Sequence, residues 1–477
     1  MTLGKVVRPD ELTEAALAVS TADECIVLLT ETNEATLRWA NSTMTTNGHT
    51  TARSFSVISV LQGPDGPAVG TVSGNGIDLD EVHAVVAASE ETARQSGPAR
   101  DVAPLVEGTA VDNRADDDYA SPGAATEIGV FASLADELAA AFHDSRSGGS
   151  RGSDGGHLLY GFAEHRVETT WLASSAGLRR RWVQPTGTVE LNAKVADDLA
   201  RSAWTGAYTT DFSDVDLTAL IAEVRKRLGW SRRRIELPAG RYDTILPPSA
   251  VADLMVYLAW TMEGRSAHEG RSAFSAPGGG TRLGERLTEL PLTLSSDPVA
   301  PGLTTMPFLA TTVSSDAVSV FDNGLPIRRV DWLRDGTVNA LAYSRAAAQE
   351  LGGQVTPPPE NLLLTGGSAG TADDLVAGTE RGLLLTCLWY IREVDPTSLL
   401  LTGLTRDGVY LVEDGEVVGQ VNNFRFNESP IDLIRRASEV GVTARALGRE
   451  WKDWFARVAM PPIRVPDFNM SSVSQAT

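Results

Sequence analysis

Asn-Gly and Asp-Gly turns punctuate this chain, at Asn47-Gly48, Asp322–Gly324, Asp335-Gly336 and Asp414-Gly415. Asn, Asp and Gly accept the left-handed backbone that sends a strand back on itself. The Val-, Leu- and Thr-rich runs between such turns are therefore predicted to be strands, and short ones dominate from residue 285 onward. Further turns are expected around Ser174–Gly177 and Pro185–Gly187.

Helical periodicity is confined to a few stretches. "ELTEAALAV" is amphipathic, and "DLDEVHAVVAASEETARQ" places Val82, Val85, Val86 and Ala87 on one side. Phe131, Leu134, Leu138 and Phe142 likewise keep to one helical face. Asp216 caps a predicted helix over 217–228, on which Leu217, Leu220, Ile221, Val224 and Leu228 align. Ser429-Pro430 opens a last helix that runs to Gly441.

The resulting fold class is α+β. An N-terminal α/β domain with a mostly antiparallel sheet covers 1–95, and a Pro-, Gly- and Asp-rich linker covers 96–125. A middle α/β segment spans 126–235, a strand-rich C-terminal domain spans 236–465, and 466–477 is a tail. "SRSGGSRGSDGG", residues 145–156, is flexible by composition.

Charge narrows the partners. With 41 basic and 62 acidic side chains the net charge is −21, which repels phosphate backbones and argues against direct contact with nucleic acid. The clusters Arg179–Arg181 and Arg232–Arg234 are expected to pair with nearby acids. No apolar run approaches the roughly 18 residues that span a bilayer. The start lacks the apolar core of a secretory signal, and Cys25 and Cys387 stand far apart, so a cytoplasmic protein with reduced thiols is expected.

One dipeptide suggests catalysis. In "SAVADLMVYLAWTMEGRSAHEGRSAFS", residues 249–275, His268-Glu269 begins like a zinc-peptidase motif. Such a site needs a second His about one turn later. Ser272 and Ala273 stand there instead, and Gly264 and Gly270 point to an exposed polar loop. The other histidines are His49, His83, His143, His157 and His165, and none is three to five residues from another. His157 and His165, eight apart, are expected to be structural or exposed. "LLLTGGSAGTADDL", residues 362–375, lacks the Lys of a P-loop and reads as a turn before a capped helix. Cys387 lies in an apolar strand and reads as a packed thiol. Asp322 and Asn323 read as turn residues bonded to backbone. No catalytic, metal-binding or cofactor-binding residue is assigned, and substrate-binding residues are left open.

The order of segments in the C-terminal half carries more information than any single motif. "LPAGRYDTILPPSAVADLMVYLAW", "RLGERLTELPLTLSSDP", "FDNGLPIRRVDWLRDGTVNALAYSRAAAQELG", "NLLLTGG" and "GVYLVEDGEVVGQVNNFRFNESPIDLIRRASEVG" follow one another over roughly 237–445. This ordered set resembles the TldD/PmbA family of heterodimeric metallopeptidases, and "LRWANSTMTTN" loosely resembles the family's first domain. The resemblance implies a TldD-type subunit with His-Glu-x-x-x-His on the helix after the "LPAG" strand and a further Cys ligand near the C-terminus. The matching helix here, Ser249–Met262, has neither His nor Glu, with Asp253 its only ionisable group besides Tyr257. No Cys follows Cys387.

The chain thus resembles the TldE/PmbA-type partner, which lacks the motif. The resemblance implies a non-catalytic subunit without a cofactor of its own, paired with a TldD-type subunit that holds zinc. Unfolded peptides would enter a cavity shared by the two. Asn323, where many relatives carry an acid, and the "EGRSAHEGRSAFSAPGGG" loop depart from the family pattern. The alternatives are an independent hydrolase using His157, His165 or His268, and a binding protein acting on a gyrase-like partner.

Overall fold

The computed structural model describes residues 7–76, 78–109, 116–146, 156–368 and 370–474. The N-terminal half is built on one six-stranded sheet, antiparallel throughout, in the order β3-β2-β1-β4-β5-β6. Its strands are β1 (Glu24–Ala40), β2 (Thr43–Gly63), β3 (Gly66–Asn75), β4 (His157–Ser174), β5 (Arg179–Val195) and β6 (Asp198–Thr209).

The burial pattern of β1 explains how the sheet is covered. Cys25–Leu29 are buried without alternation, as befits a strand with both faces packed. On one side lie helices α1 (Pro9–Val19) and α2 (Leu79–Gln95), whose Leu12, Ala16, Val82 and Val86 meet Val27, Leu29, Phe55 and Trp171. On the other side Ile26, Leu28 and Leu172 meet Leu105, Phe308 and Phe321. From Asn33 onward burial alternates. Ala35, Leu37 and Trp39 pack with α3 (Ala132–Arg146) and α4 (Leu217–Trp230), while Glu34, Thr36 and Arg38 face away. That second face is the floor of the cleft described below.

The α+β class expected from the sequence is the class observed, but several local expectations give way. Residues 1–95 and 126–235 do not form separate sheets: β1 pairs with β4 from Ile26↔Ser174 to Trp39↔Gly161. Pairing over such a distance leaves no local trace. Part of 96–125 is packed rather than a free linker, since Leu105 and Val106 are buried and Tyr119 shares a 2.7 Å hydrogen bond with Thr13. Asn47-Gly48 is no hairpin turn; both residues lie inside β2, opposite Leu37 and Thr36. The reversal falls at Asn41 and Ser42, both at φ 52°. Ser42 is held there by Leu159 N–H, which donates to its Oγ at 3.0 Å, and by Ser145 at 2.7 Å. The turns at Asp335-Gly336 and Asp414-Gly415 do form, all four residues at positive φ.

Pro185–Gly187 runs on within β5. Pro185 is tolerated because β6 pairs only from Gly187 onward, so the proline faces no second neighbour. The segment 145–156 falls mostly outside the described residues.

The C-terminal half holds a six-stranded and a ten-stranded sheet around a shared core. Strand Ile463–Val473 lies inside the larger sheet, bonded to Gly240–Leu246 and Phe424–Glu428. The residues read as a tail from 466 thus continue this strand up to Val473, with Phe468 and Met470 fully buried and 471–473 exposed. The helix opened by Pro430 ends at Arg436, not Gly441, because Glu439–Val440 leaves to pair with that strand. At the centre sits α5 (Pro248–Trp260), apolar on all sides and buried without interruption from Ala250 to Val256. Among the described residues no helix is long and apolar enough to cross a membrane.

Candidate functional site

Helix α5 occupies the sequence position where the resemblance places a metal-binding helix, so its chemistry decides what this chain can do. Pro248 at its first turn fixes the start, and Asp253 is the one acid inside it. The Asp253 side chain is 1% exposed. Its Oδ1 accepts the backbone N–H of Glu450 at 3.0 Å and of Trp451 at 3.4 Å, and its Oδ2 accepts that of Arg449 at 3.1 Å. The Trp451 indole N–H donates to the Asp253 carbonyl at 2.9 Å. Burial raises the Asp253 pKa well above the usual carboxylate range, and these N–H groups oppose the rise. Asp253 thus clamps the segment 449–451 onto α5.

That segment begins with a buried cation. Arg449 stacks over Trp389 at 4.0 Å and Trp204 at 5.1 Å, donates to the Cys387 sulfur at 2.7 Å and lies 3.5 Å from Asp407. Trp204 belongs to β6 and the other partners to the C-terminal half, so Arg449 ties the two halves together. Burial pushes the Cys387 thiol up to about 12, against the pull of the Arg449 charge. It is a packed thiol, as its apolar surroundings suggested, but it sits in the break between strands Arg381–Leu385 and Leu388–Asp395 rather than inside one.

These residues do not fit a zinc ion. Both Asp253 oxygens are taken by backbone N–H groups, and Cys387 faces a fixed guanidinium that would repel a metal cation. Among the described residues no three His, Cys, Asp or Glu side chains converge as metal ligands.

Beyond Trp451 the chain reaches a cleft of about 960 Å³ over the open face of the N-terminal sheet. Lys452 and Asp453 form one wall, and Glu34, Arg38, Glu164 and Glu190 are among the floor residues. Lys452 pairs with Glu190 at 3.1 Å and Asp453 at 2.6 Å. Trp260 packs edge-on against Trp451, and Trp454 next to this wall is 72% exposed.

The histidines do not gather here. His268 closes a one-turn helix, Gly264–His268, rather than lying in a loop, and its half-buried ring meets Tyr343 edge-on at 6.1 Å. Glu269 is exposed and pairs with Arg271 at 2.6 Å. His165 is buried, sharing a 2.6 Å hydrogen bond with Thr126 and donating through Nε2 to the Thr210 carbonyl at 2.8 Å. His157 accepts from Arg225 at 3.1 Å, and eight strand residues put it about 26 Å from His165. His49, His83 and His143 are exposed.

The remaining candidates are structural. Asn323 Oδ1 accepts from Thr311 N–H at 2.7 Å and its amide donates back to Thr311 and Val320 carbonyls. Asp322 holds Arg345 at 2.6 Å. In the segment 362–375, Thr371 and Asp374 bond reciprocally across the start of a six-residue helix; Ala369 lies outside the described residues. Arg179, Arg180 and Arg181 pair with Glu14, Asp116 and Asp118, and Arg234 with Asp198. Sequence reasoning missed the Asp253–Arg449 assembly, although a lone acid in an all-apolar helix is itself a signal that buried donors await it.

Residues 239–472 match the PmbA/TldA metallopeptidase C-terminal domain. TldE from Thermococcus kodakarensis is similar in structure, with a TM-score of 0.75 at 14% identity over 96% of this chain and 99% of that one. A candidate modulator of DNA gyrase from Thermotoga maritima gives a TM-score of 0.74 at 17% identity, covering 96% and 99%. Another from Bacteroides thetaiotaomicron gives 0.73 at 14%, covering 97% and 98%. A search of curated protein sequences finds no match.

Proposed function

The chain belongs to the TldD/PmbA family, and from that premise we propose that it is the metal-free, non-catalytic subunit of a TldD/TldE-type peptidase acting on unfolded peptides in the cytoplasm. The observation that carries this reading is the state of α5. Where the resemblance requires His-Glu-x-x-x-His, the helix offers only Asp253, and that carboxylate is bonded to the backbone of 449–451. The chemistry is then supplied by a TldD-type partner bearing the motif and its zinc, and this chain contributes a wall of the peptide cavity.

The separation of the histidines favours this reading over an independent hydrolase. His165 has both ring nitrogens engaged, and His157 and His268 lie on different elements. Two structural relatives are described as candidate gyrase modulators, but the charge of −21 disfavours contact with DNA itself.

The test is to purify the complex from its own cells through a tag on this chain, then measure its native mass and sequence its components. A stoichiometric second chain with His-Glu-x-x-x-His is the expected result. A homo-oligomer or lone monomer, or chelator-insensitive cleavage by this chain alone, would overturn the proposal.

A further inference from the structure

The cleft over the N-terminal sheet has a charge pattern that points to a ligand feature. Strand alternation sends Glu34, Thr36 and Arg38 of β1 to the open face, and cross-strand register sets Glu164 beside Thr36 and Phe162 beside Arg38. Most charges in the cleft are mutually satisfied. Arg166 lies 3.0 Å from both Glu34 and Glu164, and Lys452 neutralises Glu190 and Asp453 in the same way. Arg38 differs: it is exposed and, among the described residues, pairs with no carboxylate. Its guanidinium lies over the Phe162 ring at 4.6 Å, which holds the planar group in one orientation with its N–H edges free. Its neighbours along β2 are the hydroxyl-bearing Thr45 and Thr46, also at the cleft.

We propose that this cleft seats an extended peptide segment and that Arg38 binds a carboxylate of that peptide, making it a specificity-determining residue. The proposal rests on the reading of this chain as part of a peptide-handling enzyme, and it names the peptide chemistry preferred. The open face from Glu34 to Ala40 is about 20 Å long, room for an extended stretch of about six residues. The Thr45 hydroxyl already donates to the Arg38 carbonyl at 3.1 Å, so the Thr46 hydroxyl is the one offered to the peptide backbone; a planar guanidinium engages a carboxylate through two parallel N–H···O bonds.

The test uses the purified full-length chain and labelled hexapeptides of Gly and Ser in three forms. One carries a central Glu and an amidated end, one a free C-terminal carboxylate and no Glu, and one is neutral throughout. Fluorescence anisotropy is expected to give affinity about five-fold higher for at least one acidic form than for the neutral one. The form preferred tells a side-chain carboxylate from a chain end. Arg38→Gln should erase the preference and Arg38→Lys retain part of it, with thermal midpoints unchanged because Arg38 is exposed. Equal affinities, no binding of any form, or a preference that survives Arg38→Gln would overturn the proposal. Absence of a metallopeptidase partner in the tagged complex, with the Arg38-dependent preference intact, would remove only the subunit reading.

Discussion

The carboxylate of Asp253 accepts the backbone N–H of Glu450 at 3.0 Å across 197 residues of sequence. A buried acid in an apolar helix is stable only with partners, and here the partners are main-chain donors that the loop at 449–451 could not satisfy in water once packed. Asp253→Ala would leave those N–H groups buried and unpaired. It is expected to destabilise the chain by about 3 kcal/mol, read from urea unfolding. A loss under 1 kcal/mol would mean that the loop finds other acceptors.

The same carboxyl predicts a pH signature. Its folded pKa is raised by burial, so the folded state binds that proton more tightly than the unfolded state. The stability it contributes is complete below the unfolded value of about 3.9 and is lost as pH rises from there through the folded pKa. Asp253→Asn removes this ionisation. The wild-type chain should therefore lose thermal stability relative to Asp253→Asn as pH increases over that window. A difference that is flat or runs the other way would show that the N–H groups outweigh burial.

Arg449 offers a test of how the two halves are joined. Its guanidinium lies over the Trp204 and Trp389 rings, donates to the Cys387 sulfur and sits 3.5 Å from Asp407. Arg449→Ala is expected to cost about 3 kcal/mol and to change the near-ultraviolet dichroism of the tryptophans. Arg449→Lys keeps the charge but not the planar stack, so it should recover only part of the loss.

Thiol chemistry gives an independent check on the same region. Burial places Cys387 at about 12 and Cys25 at about 11, so at pH 8 roughly one molecule in a thousand or fewer carries either thiolate. A thiol reagent should leave the folded chain unlabelled and modify both cysteines after unfolding. Rapid labelling of the native chain would place Cys387 in an accessible position.

What the sequence made legible is what local chemistry controls. The periodic faces of α3 and α4 pack into the core, and that of α2 is buried at Val82, Val85 and Val86 but exposed at Ala87, while Asp335-Gly336 and Asp414-Gly415 turn at positive φ. The pairing of β1 with β4 and the reach of 449–451 to α5 depend on residues more than a hundred positions apart. No window of sequence contains them. At the site, the absence of His and Glu from α5 is legible in its composition, but the use made of Asp253 is not. The free guanidinium of Arg38 was also invisible, because its isolation depends on which neighbours the other cations take.

The chain reverses at Asn41–Ser42 rather than at Asn47-Gly48, and substitution at the two asparagines tests this. Asn47 lies exposed within β2, opposite Leu37, where its poor strand propensity is a small handicap, whereas Asn41 stands at φ 52° in the true turn. Asn47→Thr is therefore expected to stabilise the chain by about 0.5 kcal/mol, since a β-branched residue suits an extended backbone. Asn41→Thr, with a β-branched side chain forced to positive φ and the acceptor of the Tyr160 hydroxyl removed, should destabilise it by about 1–2 kcal/mol. The two substitutions make the same chemical change six residues apart. Opposite signs in denaturant unfolding locate the reversal at Asn41–Ser42; destabilisation by Asn47→Thr alone would return it to Asn47-Gly48.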